Sequence, residues 1–322
     1  MQILKIKNIL KELFIHSPLR FKKITCLYTL NNKFLNWFIF IALSFIWGSS
    51  FILMKEGLVS LTAFQVASLR IISSGLVLLP ITIKTFRDIP KNKIFTIFMS
   101  GVLGSLIPAY LFCIAEQGIE SALAGVLNSL TPIFVIICGV IFFKTQVAAN
   151  KVLGIFIAFS GSVLLFLSQP GFAQHSNILY VSLVVLATLL YGFNVNIVHR
   201  HLSNIPSVRI AALALSLNAI PALTVLYFTG YFKLDFSDKA VILSTAYSFV
   251  LGIFGTALAT IIFYILLKRA GAVFASMVTY GIPVFAIMWG IIYGEQVGWQ
   301  QAGCLAIILL GVYVVNRKIS AN

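Results

Sequence analysis

Ten long apolar runs take up most of the chain and leave little room for a soluble fold. Each holds roughly 17–22 residues, enough for an α-helix to cross a hydrocarbon layer ~30 Å thick. They lie at about 37–54, 64–83, 94–114, 121–142, 151–168, 178–198, 208–228, 241–262, 272–293 and 299–315. Only 10% of the residues are charged, against about 25% in soluble domains. The sequence therefore predicts an all-α polytopic membrane protein with ten transmembrane helices, rather than a large soluble helical core.

An internal repeat groups the ten segments into two sets of five. Residues 98–142 align with residues 249–293 without a gap, at an offset of 151. The identities include residue types that mark close backbone approach or a helix break, namely Gly101, Gly104, Pro132 and Gly139 against Gly252, Gly255, Pro283 and Gly290. A weaker match pairs residues 47–50 with 191–194. Because five spans is an odd number, we predict two inverted five-helix repeats, as in secondary transporters.

The repeat also sets the expected domain boundaries. We predict a first repeat at 37–168, a linker at 169–177, a second repeat at 178–316 and a short tail at 317–322. Residues 1–36 form a basic extension, in which Ile3, Ile6, Leu10 and Leu13 recur at helical spacing among lysines. This pattern is typical of an amphipathic helix on an anionic membrane surface. A disordered charged flank, or residues upstream of the natural start site, is the alternative.

The net charge of +15 is best explained by orientation in a membrane. With a cytoplasmic N-terminus, 19 of the 23 Lys and Arg residues face the cytoplasm, and six of the eight acidic residues lie on the opposite side. Such a bias in short loops sets membrane topology. We therefore predict a multi-pass protein of the plasma (inner) membrane with both termini cytoplasmic. The lipid bilayer, not nucleic acid, is the expected partner of the basic residues, and a homodimer is left open.

Sequence motifs for catalysis and metal binding are missing. The four cysteines are scattered, and the four histidines lie in flanks and loops. No glycine-rich phosphate loop, Asp-rich metal motif or Ser/His/Asp arrangement is found in the sequence. We therefore expect no enzyme activity, no metal and no cofactor.

Three short motifs resemble the EamA-type proteins of the drug/metabolite transporter superfamily. They are Trp47-Gly-Ser-Ser-Phe51 followed by Lys55, the stretch from Glu120 through Pro132 to Phe134, and Gly294-Glu295. The resemblance covers about residues 37–316. It implies ten spans in two inverted units and the export or exchange of small metabolites, without naming a substrate. The first half departs from the pattern, since Phe143-Lys144 stands where the family usually has Gly-Glu.

Arg70 is the strongest single candidate for a substrate contact. It lies seven residues into the second segment, roughly 10 Å below the outer surface at 1.5 Å per residue. An arginine at membrane depth is costly and should face a water-filled cavity or a carboxylate. Two alternatives stay open, namely snorkelling to the outer interface and a fixed ion pair with Glu56 or Glu116.

The remaining candidates are polar or aromatic residues that match across the repeat or flank its two prolines. Pro132 and Pro283 occupy equivalent sites in segments four and nine, where paired helix breaks point to a central site. They are predicted to kink their helices and to act as hinges. The other candidate substrate contacts are Trp47, Ser50, Asn128, Ser129, Tyr191, Asn194, Asn196, Thr279 and Tyr280. For the asparagines, hydrogen bonding between helices is the alternative role.

Together these features favour a secondary transporter working by alternating access. Its substrate would be a small metabolite such as an amino acid or a related compound, moved by export or exchange across the plasma membrane. No sequence motif resembles an ATP site, so the driving force would be an ion gradient or the exchange itself. A membrane scaffold or sensor that keeps the fold without transport is the alternative.

Overall fold

The computed structural model describes residues 18–119, 121–168, 178–292 and 298–316, and every regular element within them is helical. The chain divides into two compact units, Met1–Ile39 and Phe40–Asn322. The described part of the first unit is helical. The predicted linker, the C-terminal tail, Glu120, the Gly294-Glu295 pair and the apolar repeat of the N-terminal extension lie outside the described residues.

The first half contains both unbroken helices and helices that are interrupted along their length. They are α1 (Pro18–Gly57), α2 (Ala63–Thr85), α3 (Lys91–Gly101), α4 (Ile107–Ala115), α5 (Ser121–Asn128), α6 (Thr131–Phe143) and α7 (Ala149–Leu167). A five-residue π-helix, Val102–Leu106, joins α3 to α4, and a 3₁₀ turn, Phe86–Asp88, follows α2.

The second half has the same order of elements. Its helices are α8 (Ile178–His201), α9 (Ser207–Phe228), α10 (Lys239–Val250), α11 (Ala259–Ala270), α12 (Ala272–Ser276), α13 (Ile282–Ile292) and α14 (Trp299–Asn316). A π-helix, Leu251–Leu258, joins α10 to α11, and 3₁₀ turns lie at Tyr231–Lys233 and Met277–Tyr280.

Seven helical stretches within the described residues are long and apolar enough to cross a membrane. They are Lys33–Gly57, Ala63–Asp88, Lys91–Ala115, Leu123–Phe143, Ile178–His201, Ser207–Phe228 and Lys239–Ala270. Shorter apolar helices at Ala149–Leu165, Ala272–Phe285 and Trp299–Val315 coincide with the fifth, ninth and tenth predicted segments. The protein is thus an all-helical, multi-pass membrane protein, and the count of ten spans stays a prediction.

Local sequence signals explain where the long helices begin. Thr62 caps α2, since its Oγ1 accepts a hydrogen bond from the Gln65 backbone N–H while the Gln65 side chain accepts one from the Thr62 N–H. This reciprocal capping box satisfies two otherwise unpaired donors. Asp238 caps α10 by accepting from the Ala240 N–H at 2.8 Å. Both helices therefore start at fixed positions, and the residues that they bury keep their register.

The helix interruptions recur at equivalent places in the two halves. The π-helix at Val102–Leu106 corresponds, at the repeat offset of 151, to the interior of the π-helix at Leu251–Leu258. Likewise, Pro132 and Pro283 are each the second residue of a helix, α6 and α13. A proline in the first turn is tolerated because that N–H has no partner in the helix. The prolines therefore start new helices after a break, instead of kinking continuous ones as predicted.

Close contacts between the halves come in pairs, in which each half contributes the residue that the other half contributes in the second contact. A side chain added at Gly104 would collide with Asn194, and one added at Gly255 would collide with Ser50. Gly104 and Gly255 are repeat equivalents, and so are Ser50 and Asn194. The π-helix region of each half is thus packed against the first helix of the other half.

The last helices of the two halves show the same exchange. A side chain added at Gly161 would meet Ile308, while one added at Gly311 would meet the backbone at Ala158. Both pairs are related by one offset of 150, so α7 and α14 cross with two-fold pseudosymmetry. Close packing at small residues is the usual way for membrane helices to associate.

The outer surface is strongly apolar. Ile83, Phe95 and Phe228 are 70%, 70% and 80% exposed, whereas the buried cluster includes Val66, Leu69 and other small or branched side chains. A soluble protein rarely leaves such contiguous apolar area in water. Hydrocarbon is the medium that fits this surface.

Candidate substrate-binding site

A cavity of about 110 Å³ lies between the two halves. Four predicted residues of the first half line it, namely Trp47, Ser50, Arg70 and Asn128. Three predicted residues of the second half face them across it, namely Tyr191, Asn194 and Thr279. Seven of the ten residues proposed from the sequence are therefore brought together around one space.

The lining repeats the symmetry of the fold. At the offset of 151, Asn128 corresponds to Thr279. Asn128 ends α5, and Thr279 lies in the 3₁₀ turn before α13, so both lie at the break that precedes a proline. At the offset of 144, Ser50 corresponds to Asn194 and Trp47 to Tyr191. Each half thus supplies the same positions to the cavity, but with different side chains, which gives an asymmetric chamber.

Arg70 lines the cavity from α2 and is held by the second half. Its Nε donates a hydrogen bond to Thr256 Oγ1 at 2.6 Å, and Thr256 lies in the π-helix between α10 and α11. Among the described residues, the ion pair found joins Arg209 to Asp88 at 2.9 Å and does not involve Arg70. The fixed pair with Glu56 or Glu116, left open by the sequence, is not formed in this structure.

Asn194 is the second polar group with unused hydrogen-bonding capacity. Its side chain is 4% exposed, and its Nδ2 donates to the Tyr264 hydroxyl at 3.4 Å. Its Oδ1 is buried and has no hydrogen-bond partner among the described residues. Leaving a buried polar atom unsatisfied costs about 1–3 kcal/mol. A donor from water or from a ligand in the cavity would remove this cost.

Aromatic side chains form the apolar walls. Trp47 is anchored by its Nε1–H, which donates to the Gly255 carbonyl at 3.1 Å, and its ring lies 5.4 Å from that of Phe263. Tyr191 stacks on Phe112 with ring centroids 6.1 Å apart. The cavity can therefore hold a small organic body between rings while Arg70 and Asn194 contact its polar groups.

Three predicted contacts lie away from the cavity lining. Asn196 uses its Nδ2 to bridge helices, donating to the Val135 and Gly192 carbonyls at 2.9 and 2.8 Å. The Tyr280 hydroxyl donates to the Ile155 carbonyl at 3.1 Å, and the Ser129 hydroxyl bonds within its own chain segment, to the Gly125 carbonyl. In this conformation their polar groups are used for packing rather than for a ligand.

The sequence reasoning missed several residues that the repeat itself could have identified. Phe112 and Phe263 are repeat equivalents, and both line the cavity. Ser105 and Thr256 are a second such pair. Ser105 and Thr256 each directly follow a repeated glycine, Gly104 and Gly255, and this position in the repeat marks the hydroxyl that holds Arg70. Within the described residues, no group of three or more His, Cys, Asp or Glu side chains is arranged to bind a metal.

The fold and this chamber define a class, namely multi-pass helical membrane proteins with a central cavity shared between two repeats. The chain belongs to the EamA-like transporter family, which matches residues 35–167 and 178–317. It is therefore a membrane transporter by family. This agrees with the resemblance noted from the short motifs.

Individual relatives cover nearly the same length. An uncharacterized transporter of Archaeoglobus fulgidus is 29% identical over 278 residues, covering 84% of this chain and 95% of the relative. The protein PagO of Salmonella typhimurium is 21% identical, covering 86% of this chain and 91% of its own. A WAT1-related chloroplastic protein of Arabidopsis thaliana is 24% identical, and the alignment covers 88% of this chain and 70% of that protein.

A solved crystal structure has the same fold. It aligns with a TM-score of 0.66 at 15% identity, covering 87% of this chain and 95% of that one. At this identity the likeness concerns the fold alone.

Proposed function

We propose that this protein is a secondary transporter that exports or exchanges small metabolites across the plasma membrane by alternating access. The observation that carries the proposal is the central cavity, whose walls come from equivalent positions of both halves. The proposed architecture is ten spans in two inverted five-helix repeats. Substrates of the size of amino acids and related compounds are the expected class.

The exchanged contacts support the inverted arrangement. Gly104 meets Asn194 as Gly255 meets Ser50, so a two-fold axis relates the halves. If each half has five spans, this axis lies in the membrane plane and the halves have opposite orientations. A cavity on such an axis can open to either side by equal and opposite movements of the halves.

The cavity volume supports the size of the proposed substrate. At about 110 Å³ it is somewhat smaller than the ~150 Å³ engineered cavity that binds benzene. A compact molecule of a few non-hydrogen atoms fits this space, and larger ones require the cavity to widen. This favours small metabolites over dyes and long lipids.

Transport by purified protein in proteoliposomes tests the proposal and separates it from a scaffold or sensor role. Counterflow of labelled amino acids, organic acids and nucleobases should show uptake above protein-free vesicles. Ser50→Trp, which fills the cavity, should abolish it. Ser182→Trp, at an exposed serine of α8, should leave it unchanged. Uptake that is equal with and without protein across the panel would favour the non-transporting alternative.

The proposed orientation makes a separate prediction. With ten spans and a cytoplasmic N-terminus, 19 of the 23 basic residues would face the cytoplasm, so we expect both termini there. A fluorescent reporter that folds only in the cytoplasm should be active when fused after Asn322. A phosphatase reporter that is active only outside should be silent there. The reverse pattern would contradict the orientation and the even number of spans.

The paired helix breaks predict opposite effects of two proline substitutions. Pro132→Ala and Pro283→Ala should each extend a helix across its break and so favour opening to opposite sides. Single cysteines at Asn128 and Thr279 report on this opening, since both residues line the cavity. Their labelling from each side would be measured in a chain lacking its four native cysteines.

Pro221, inside α9 and away from the breaks, provides the matched control. Pro221→Ala should leave labelling from both sides unchanged. A shift in the same direction in both break variants, or in neither, would contradict the hinge role but not the transporter assignment.

A further inference from the structure

Arg70 gives the cavity an unbalanced positive charge. Among the described residues that line it, Arg70 is the one with a formal charge. Its Nε–H is used by Thr256, and the structure records no other hydrogen bond or ion pair of Arg70 with the described residues. The guanidinium has five N–H donors in a fork that matches a carboxylate. The terminal nitrogens are therefore available to a ligand.

Charge balance discriminates between classes of small carboxylate. In a low-dielectric space an unpaired charge is strongly unfavourable, and a partner of opposite charge removes most of the penalty. A monoanion makes the loaded cavity neutral. A zwitterion leaves it with one positive charge, and a dianion leaves it with one negative charge. The monoanion is thus the best match to the lining.

Asn194 adds a requirement for a hydrogen-bond donor. Its buried Oδ1 lacks a partner, although the residue lines the same cavity. A neutral hydroxyl on the ligand satisfies this oxygen without adding charge. The aromatic pair of Trp47 and Phe263 leaves room for a short apolar body. A 2-hydroxy acid carries all three features within a few atoms.

The same charge constrains the transport cycle. Alternating access passes through a state in which the cavity is closed to both sides. Closing it empty would seal Arg70 in the protein without an anion, whereas closing it loaded seals a neutral pair. The loaded protein should therefore change sides much faster than the empty protein.

We propose that the cavity selects small monoanionic carboxylates with a hydroxyl donor, with the carboxylate on Arg70 and the hydroxyl on Asn194, and that the protein acts as an exchanger. This inference rests on the proposed transport function and narrows its substrate class. The solute carried on the other leg of the exchange must by the same argument be a monoanion.

Isosteric pairs of labelled compounds test the charge rule in proteoliposomes. Lactate and alanine share a shape and differ in a neutral hydroxyl against an ammonium, and glycolate and glycine do the same with a smaller body. Wild-type protein should take up each hydroxy acid at least tenfold faster than its amino acid. Preloading the vesicles with unlabelled hydroxy acid should accelerate uptake at least tenfold over empty vesicles.

Arg70→Gln tests the residue. It should lower hydroxy-acid uptake at least tenfold and bring preloaded and empty vesicles close to the same rate, because the empty cavity is no longer charged. Arg209→Gln, at an arginine paired with Asp88, is the control and should behave as wild type. Should Arg70→Gln not fold, the thermal stabilisation of wild-type protein by lactate, compared with alanine, gives an independent measurement.

The outcomes separate this inference from the proposed function. The inference would be overturned if the amino acids were taken up as fast as the hydroxy acids or faster. It would also be overturned if empty and preloaded vesicles took up hydroxy acid at equal rates. In both cases the protein would still be a transporter. Failure to move either pair would also overturn it. The broader panel of nucleobases and other organic acids would then decide whether the protein transports at all.

Discussion

Gly311→Val is expected to remove most of the folded protein from the membrane. At Gly311, a Cβ would lie 2.7 Å from the Ala158 Cα and closer still to other backbone atoms of α7. Backbone cannot move aside as a side-chain end can. Overpacking a core costs about 1–3 kcal/mol and occasionally more, and we expect the upper end or beyond. The yield of monodisperse protein and its melting temperature in detergent measure the effect.

Gly303 in the same helix is a matched control. Nothing lies within 4 Å of a Cβ added there, and the residue is exposed. Gly303→Val should therefore change the melting temperature little. Equal losses in both variants would mean that helix propensity, rather than the crossing of α7 and α14, determines the result. Full stability of Gly311→Val would contradict the described packing of these helices.

Glu116→Gln is expected to remove the loss of stability that burial of Glu116 imposes on the wild-type protein as pH rises from 5 to 8. Glu116 follows α4 and lies outside the helical spans. Burial raises the pKa of its carboxyl from 4.5 to about 7, although a hydrogen bond from Ser121 and the charge of Lys55 oppose the change. Its Oε1 is buried without a partner among the described residues, while Oε2 accepts from Ser121 at 2.8 Å.

The direction of the effect follows from proton linkage. The folded protein holds this proton more tightly than the unfolded chain does. The free energy of unfolding is therefore highest below pH 4.5, and it falls as the pH rises towards 7. At 1.36 kcal/mol for each pKa unit, the full loss is roughly 3 kcal/mol. The melting temperature of the wild type should therefore fall between pH 5 and 8, and that of Glu116→Gln should not.

Glu56 supplies the control for this experiment, because it is an exposed glutamate at the end of α1. Glu56→Gln should keep the wild-type dependence on pH. Cys113, on the preceding helix, is a further titratable group close to Glu116, and Cys113→Ala should also keep the dependence. A wild-type melting temperature that is flat or rises over this range would show that Glu116 is ionised and satisfied in the folded protein.

Much of the site could be predicted because the repeat marks it twice. Asn128 and Thr279 are neighbours of the repeated prolines, and both line the cavity. An arginine at membrane depth is costly, which singles out Arg70 in the sequence, and Arg70 lines the cavity. Such signals are local in sequence, or they depend on a residue type that the membrane rarely tolerates.

Other features depended on geometry that the sequence pattern does not contain. The sequence does not separate a substrate contact from a helix–helix hydrogen bond for Asn196, because a helix in lipid is apolar on all sides and its periodicity does not mark the inward face. It equally does not show that the Tyr280 hydroxyl donates to the Ile155 carbonyl. The π-helices that place Thr256 beside Arg70 rotate the following residues relative to an ideal helix. A pattern with a period of 3.6 residues therefore assigns them to the wrong face.

The central claim is that substrate crosses through the cavity between the two halves. Labelling of a single cysteine at Thr279, by a membrane-impermeant thiol reagent added from either side, tests it most directly. A cysteine at Ser182, outside the cavity, serves as the reference. We predict that Thr279→Cys reacts from both sides of the membrane and that a transported substrate slows its reaction but not that of Ser182→Cys. Reaction from one side only, at a rate that substrate does not change, would contradict the account.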